Sequence, residues 1–74
     1  MSLPETEAIE IVVNGDRCTP PAGLNIEGLL RFLGLDASRV AIERNRLIVR
    51  KADWNNTTIC SGDEIEIVQF VGGG

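Results

Sequence analysis

Ser61-Gly62-Asp63-Glu64-Ile65-Glu66-Ile67-Val68-Gln69-Phe70-Val71-Gly72-Gly73-Gly74 is the stretch on which the fold turns. Ser61-Gly62-Asp63 is a turn signal, and the residues after it alternate with the period of two expected of a strand that buries one face. A strand is predicted from Glu64 to Phe70, with Ile65 and Ile67 on one face and Glu64, Glu66, Val68 and Phe70 on the other. Its β-branched residues suit a pleated, half-buried surface. Three residues without side chains follow directly after Phe70-Val71.

A half-apolar strand must bury its face against another element. Ile9, Ile11 and Val13, set against Ala8, Glu10 and Val12, predict a second strand with the same one-sided pattern. Asn14-Gly15 follows it, a dipeptide that accepts the two positive φ angles of a type I′ turn, so Asp16 to Thr19 runs back as a hairpin partner. Pro20-Pro21-Ala22-Gly23 then ends the ladder, because two backbone donors are missing. Ile26, Leu29, Leu30 and Leu33 lie at i, i+3, i+4 and i+7, which places four apolar side chains on one helical stripe. Asn25 is the expected N-cap, Glu27 suits the positive end of the helix dipole, and Gly34 sits where a left-handed C-cap belongs. Gly28 in the interior costs about 1 kcal/mol relative to alanine, so tertiary packing must hold this helix.

Val40 to Glu43 reads as another strand, Asn45-Arg46 as a tight turn and Leu47 to Arg50 as a short return strand. Lys51 to Thr58 is irregular or a single short turn, with Trp54 as its anchor. The order strand, strand, helix, strand, strand, strand gives an α+β class. With the first and last strands central under the helix, this is a ubiquitin-like β-grasp: a mixed four- to five-stranded sheet packed on one main helix. The domain is expected over 8–74 with a flexible tail at 71–74. Residues 1–7, acidic and without periodicity, are expected to form a disordered leader.

Composition narrows the function. Seventy-four residues allow one domain and no two-domain enzyme. Seven Lys and Arg against eleven Asp and Glu give a formal charge of −4, the wrong sign for neutralising phosphates, which argues against nucleic acid. Histidine is absent, closing imidazole catalysis and the common zinc sites. Two cysteines, Cys18 and Cys60, are too few for a Cys₄ iron–sulfur cluster, which excludes a ferredoxin on this fold. They read as small core hydrophobes, with a Cys18–Cys60 disulfide left open. No apolar run approaches the ~20 residues that cross a bilayer, and Met1 to Ala8 lacks the apolar core of a secretion signal, so a cytoplasmic protein without membrane contact is expected. Arg44, Arg46, Arg50 and Lys51 form a local basic cluster that offsets the acidic last strand. Glu64 and Glu66 read as solvated surface that supplies charge complementarity.

The glycine end has two readings. One is a frayed or linker-like terminus. The other is a slender arm: Val71 to Gly74 reaches about 13 Å when extended and threads a slot that any side chain would block. Such an arm delivers its α-carboxylate to another protein's active site. A carboxylate becomes electrophilic only as an acyl-adenylate or similar anhydride, and the chain has no phosphate-cradling loop of its own. A separate activating enzyme is therefore required, docked on an exposed patch of Val12, Val68 and Phe70 beside the tail. The alternative is that loops cover these side chains.

Ser61-Gly62-Asp63-Glu64-Ile65-Glu66-Ile67-Val68 followed by terminal glycines resembles the small sulfur carriers of the β-grasp class. Asn45 followed by Ile48-Val49-Arg50-Lys51-Ala52-Asp53-Trp54, and Phe70-Val71-Gly72-Gly73-Gly74, are similar to the ThiS family more than to the molybdopterin-synthase small subunit. The resemblance spans about Ile9 to Gly74. It implies a carrier, not an enzyme, that binds no cofactor itself. A ThiF-like enzyme would use ATP and Mg to adenylate Gly74, and a persulfide from a cysteine desulfurase would then convert it to a thiocarboxylate. Thiazole synthase would take the sulfur for thiamin biosynthesis. Gly72 and Gly73 would give the narrow approach, Val68, Phe70 and Val71 the docking contacts, and the free protein would be a monomer. A molybdopterin-type carrier, a ubiquitin-like modifier and a plain β-grasp interaction module are the alternatives.

Overall fold

The computed structural model describes residues 7–71. The leader expected at 1–7 falls almost wholly outside them, as do Gly72, Gly73 and Gly74. The elements are β1 (Ile11–Val13), β2 (Asp16–Cys18), α1 (Ile26–Leu33), β3 (Val40–Arg44), β4 (Leu47–Val49) and β5 (Glu64–Gln69). Short 3₁₀ segments occupy Ala37–Arg39 and Lys51–Asn56. The sheet order is β2-β1-β5-β3-β4, with β1 and β5 parallel and every other pair antiparallel. This is the predicted β-grasp, with five strands and β5 at the centre.

Local chemistry accounts for each boundary. Asn14 and Gly15 take φ of 50° and 86°, the left-handed pair that a two-residue hairpin needs. Asn25 caps α1 through its Oδ1, which accepts the Gly28 N–H at 2.7 Å, and Gly34 closes the helix at φ 75°. Ile26, Leu29 and Leu30 are buried by α1, while Ile11, Val40, Ile42, Ile65 and Ile67 are buried by the sheet. Each such side chain contributes roughly 1.5–3 kcal/mol through burial. The 3₁₀ segment at Lys51–Asn56 plugs the remaining opening with Trp54, whose indole N–H donates to the Val49 carbonyl at 2.8 Å.

The regular strands are shorter than the alternation predicts, for a physical reason at each end. Pro20 and Pro21 have no N–H to give, so pairing before β1 reduces to the Ile9 N–H on the Pro20 carbonyl and an isolated bridge from Ala8 to Pro21. The Ala22 N–H reaches the Glu7 carbonyl, so attachment to the sheet begins at Glu7. At the other end β5 stops at Gln69, and the Phe70 N–H bonds the Arg39 carbonyl at 2.8 Å.

One of the two cysteines departs from expectation. Cys60 is exposed and Cys18 half-buried against the core, and both are free thiols. Cys60 lies in the loop entering β5, where its backbone is used by Asp63 and its side chain is left outside the core.

Candidate functional site

The end of β5 is built by bonds that come from far away in sequence. The Asn14 side chain behaves as an extra rung of the β1–β5 ladder: its Oδ1 accepts the Ile67 N–H at 2.7 Å, and its Nδ2 donates to the Ile67 carbonyl at 3.1 Å. The Asn14 N–H adds a bond to the Ile65 carbonyl. One residue that makes the hairpin turn therefore also straightens β5 up to its last buried position. Beyond Ile67 the backbone is held while side chains turn outward. Val68 is 56% exposed, Phe70 similarly so, and Val71 93%. The strand thus hands a row of uncovered apolar groups to the glycines at 72–74, which lie outside the described residues.

At the start of β5 sits the opposite arrangement. Asp63 is buried, and its Oδ2 accepts from Arg44 Nε at 2.8 Å and from the Cys60 N–H at 2.8 Å. Its Oδ1 accepts from Asn45 Nδ2 at 3.1 Å. Asn45, at φ 52° in the β3–β4 turn, also exchanges bonds with Glu64: its Oδ1 accepts the Glu64 N–H, and its own N–H donates to the Glu64 carbonyl. Burial works against the charged form of Asp63, yet the hydrogen bonds from Arg44, the Cys60 amide and Asn45 outweigh it and hold the carboxyl below its ordinary range. The same hydrogen bond raises Arg44 above its usual value. Arg44 is therefore a structural partner of Asp63 and leaves the basic cluster predicted for 44–51. Arg46 only approaches Glu64, at 4.0 Å, and Lys51 lies over the Trp54 ring at 5.8 Å.

The register maps the open face of the sheet. Val12 pairs with Arg17 and Glu64, whereas Val68 pairs with Ala41. Four residues of β5, about 13 Å, therefore separate Val12 from Val68. The single Val12/Val68/Phe70 patch is thus divided. Val12 is half-buried beside the Arg17–Glu10 pair, and Val68 and Phe70 stand near the tail with Val71. Two residues not singled out from the sequence join them. Ala41 and Ile48 line, with Ile42, Glu43, Glu66 and Val68, a hollow of about 130 Å³ on the open face. Its floor is low because Ala41 is small, and its rim is acidic. Only the period-two pattern of β3 and β4 combined with their register could have found it. On the helix side a wider groove of about 310 Å³ opens between the end of α1 and the β1–β2 turn. Among the described residues no group of three or more Cys, Asp and Glu is placed to hold a metal ion. Among the described residues no helix is long and apolar enough to cross a membrane.

Comparison with known proteins agrees with this architecture. Residues 5–74 match the model of the ThiS family. A crystal structure of the thiamine biosynthesis protein ThiS from Geobacter metallireducens superposes with a TM-score of 0.76 at 32% identity, over 89% of this chain and 100% of that one. The sulfur carrier protein ThiS of Bacillus subtilis is 43% identical over 49 residues, covering 66% of this chain and 74% of that protein. A thiazole synthase of Paramagnetospirillum magneticum is 41% identical over 66 residues, 89% of this chain but 20% of that protein. The chain thus spans about one fifth of the length of the first curated relatives it matches.

Proposed function

Because the chain belongs to the ThiS family, we propose that it is a sulfur carrier of thiamin biosynthesis, and that its Gly74 carboxylate is adenylated and then converted to a thiocarboxylate. The observation that carries this reading is the contrast along β5: a strand fixed to Ile67 by Asn14, then Val68, Phe70 and Val71 uncovered and leading into Gly72-Gly73-Gly74. Ordering a free tail costs roughly 1–2 kcal/mol per residue in backbone entropy, and the Val68–Ala41–Ile48 hollow with Phe70 beside it supplies offsetting contact.

In this reading a ThiF-like partner brings ATP and Mg. A carboxylate oxygen of Gly74 attacks the α-phosphorus, a P–O bond forms and pyrophosphate leaves. The terminal sulfur of a desulfurase-derived persulfide then attacks the acyl carbon and AMP departs. A second thiol cleaves the resulting S–S bond, releasing the thiocarboxylate and a disulfide. The thiocarboxylate is ionised at neutral pH and polarisable at sulfur, which suits attack on a carbonyl-derived carbon in thiazole synthase. The region of likeness within thiazole-synthase chains supports that partnership. The chain's own residues present and steer the carboxylate, and the bond-making groups belong to its partners, so the protein is a cosubstrate.

The test is intact mass after incubation with an activating enzyme, MgATP and a sulfur donor. One terminal oxygen is expected to exchange for sulfur in the full chain and not in a chain lacking Gly74. An unchanged mass, with an enzyme that modifies another ThiS protein in the same experiment, overturns the proposal.

A further inference from the structure

The two edges of the sheet are managed differently. β2 carries Asp16 and Arg17, is followed by Pro20 and Pro21, and presents charge to solvent, as an edge protected from pairing does. β4 is Leu47-Ile48-Val49, and Leu47 and Ile48 are 72% and 75% exposed. Apolar groups on an uncovered edge invite another strand.

The register specifies what that strand meets. The two-residue turn at Asn45-Arg46 closes on Arg44 and Leu47, which pair in the ladder, as do Ile42 and Val49. In an antiparallel ladder hydrogen-bonded and non-bonded pairs alternate, so these two pairs point their backbone groups inward and Ile48 turns its N–H and C=O outward. Ile48 and the extended Arg50 share the open face by alternation, whereas Leu47 and Val49 share the helix side; Arg46, in the turn at φ 72°, lines a hollow with the open-face residues Glu43, Glu64 and Glu66. Arg50 has no ion-pair partner among the described residues, and Arg46 makes only an exposed contact with Glu64 at 4.0 Å, its side chain 88% exposed. The edge therefore reads basic, apolar, basic on one face and apolar on the other, on a protein of net charge −4.

We propose that β4 is a docking edge that accepts an extended protein segment as a sixth strand, with the pattern acidic, aliphatic, aliphatic, aliphatic, acidic. The central aliphatic residue lies beside Ile48; in antiparallel pairing its own carbonyl and N–H complete those of Ile48, and in parallel pairing the groups of its two neighbours do so. The flanking acids face Arg46 and Arg50, and the intervening aliphatics extend the helix-side surface of Leu47 and Val49. A second copy of this chain is a poor occupant. Antiparallel β4–β4 pairing centred on Ile48 sets Arg46 of each copy opposite Arg50 of the other, and like charges directly opposed are destabilising.

The test uses the full ¹⁵N-labelled chain and the peptide acetyl-Glu-Val-Ile-Val-Glu-amide, a palindrome that fits in either direction. At saturation the Ile48 amide is expected to shift and its hydrogen exchange to slow about tenfold, while β2 amides do not move. Arg50→Glu, at an exposed position whose side chain caps nothing, is expected to weaken binding about tenfold and to keep the native spectrum. Binding is expected to fall as salt is raised. Three results overturn the proposal: shifts centred on Val68 and Ala41 instead of Ile48, equal binding of a peptide with lysine in place of both glutamates, or a free chain that sediments as a dimer with Ile48 already protected.

Discussion

The two ends of β5 solve opposite problems. At its start a buried carboxylate is gripped by a guanidinium from the end of β3, an amide side chain from the β3–β4 turn and a backbone N–H from the loop before β5. At its finish the side chains are uncovered, and the strand is held by its ladder with β3, by the Asn14 side chain at Ile67 and by the Phe70 N–H on the Arg39 carbonyl. A central strand can therefore be rigid along its whole length while it is closed to partners at one end and offered to them at the other. Rigidity here comes from the backbone ladder and its side-chain extensions, and availability comes from which face each residue takes.

Substitutions can break that contrast. The largest loss is expected at Ile65, in the gripped half, where Ile65→Ala opens a core cavity and lowers unfolding free energy by about 2–5 kcal/mol in urea titration. Asp63→Ala follows. Removing one partner of a buried ion pair is costly, but Arg44 is 31% exposed and recovers water, so about 2–3 kcal/mol is expected. The acid limb of stability sharpens the assignment. The folded-state value of Asp63 lies below the ordinary 3.8, so its contribution is complete above that pH and is lost as pH falls through the lower folded value. Asp63→Asn lacks this dependence, and the stability gap between it and the parent chain should narrow below pH 3.8. Asn14→Ala should cost about 2 kcal/mol, from two lost hydrogen bonds and a left-handed φ, and should speed amide exchange at Ile67. Val68→Ser, one residue further on, should change stability by less than about 0.5 kcal/mol yet slow thiocarboxylate formation by the activating enzyme. Equal destabilisation at Ile67 and Val68 under parallel substitution would erase the distinction between the two halves.

The elements of the fold were legible because their determinants are local. Asn14-Gly15, the Asn25 cap and Gly34 each act within a few residues, and Ile9/Ile11/Val13 and Ile65/Ile67 each mark a face by alternation alone. What stayed hidden depends on register. Nothing near Asp63 announces that Arg44 and Asn45 will meet it, because that contact exists only once β3 and β5 are paired with Arg44 opposite Ile65. Nothing near Asn14 announces Ile67, 53 positions away. The distance between Val12 and Val68 is likewise fixed by the parallel alignment of Val12 with Glu64. Cys60 looked like core because thiols usually are. Its neighbour Asp63 takes the buried place instead.

The strand order also bears on how the chain assembles during synthesis. The β1–β2 and β3–β4 hairpins leave the ribosome first, yet neither touches the other in the finished sheet. β5 joins them, and it is translated last of all the elements. Until it emerges the two hairpins have no shared seam and α1 has only part of a floor. Closure must wait for a long-range step that arrives late and then acts on both halves together.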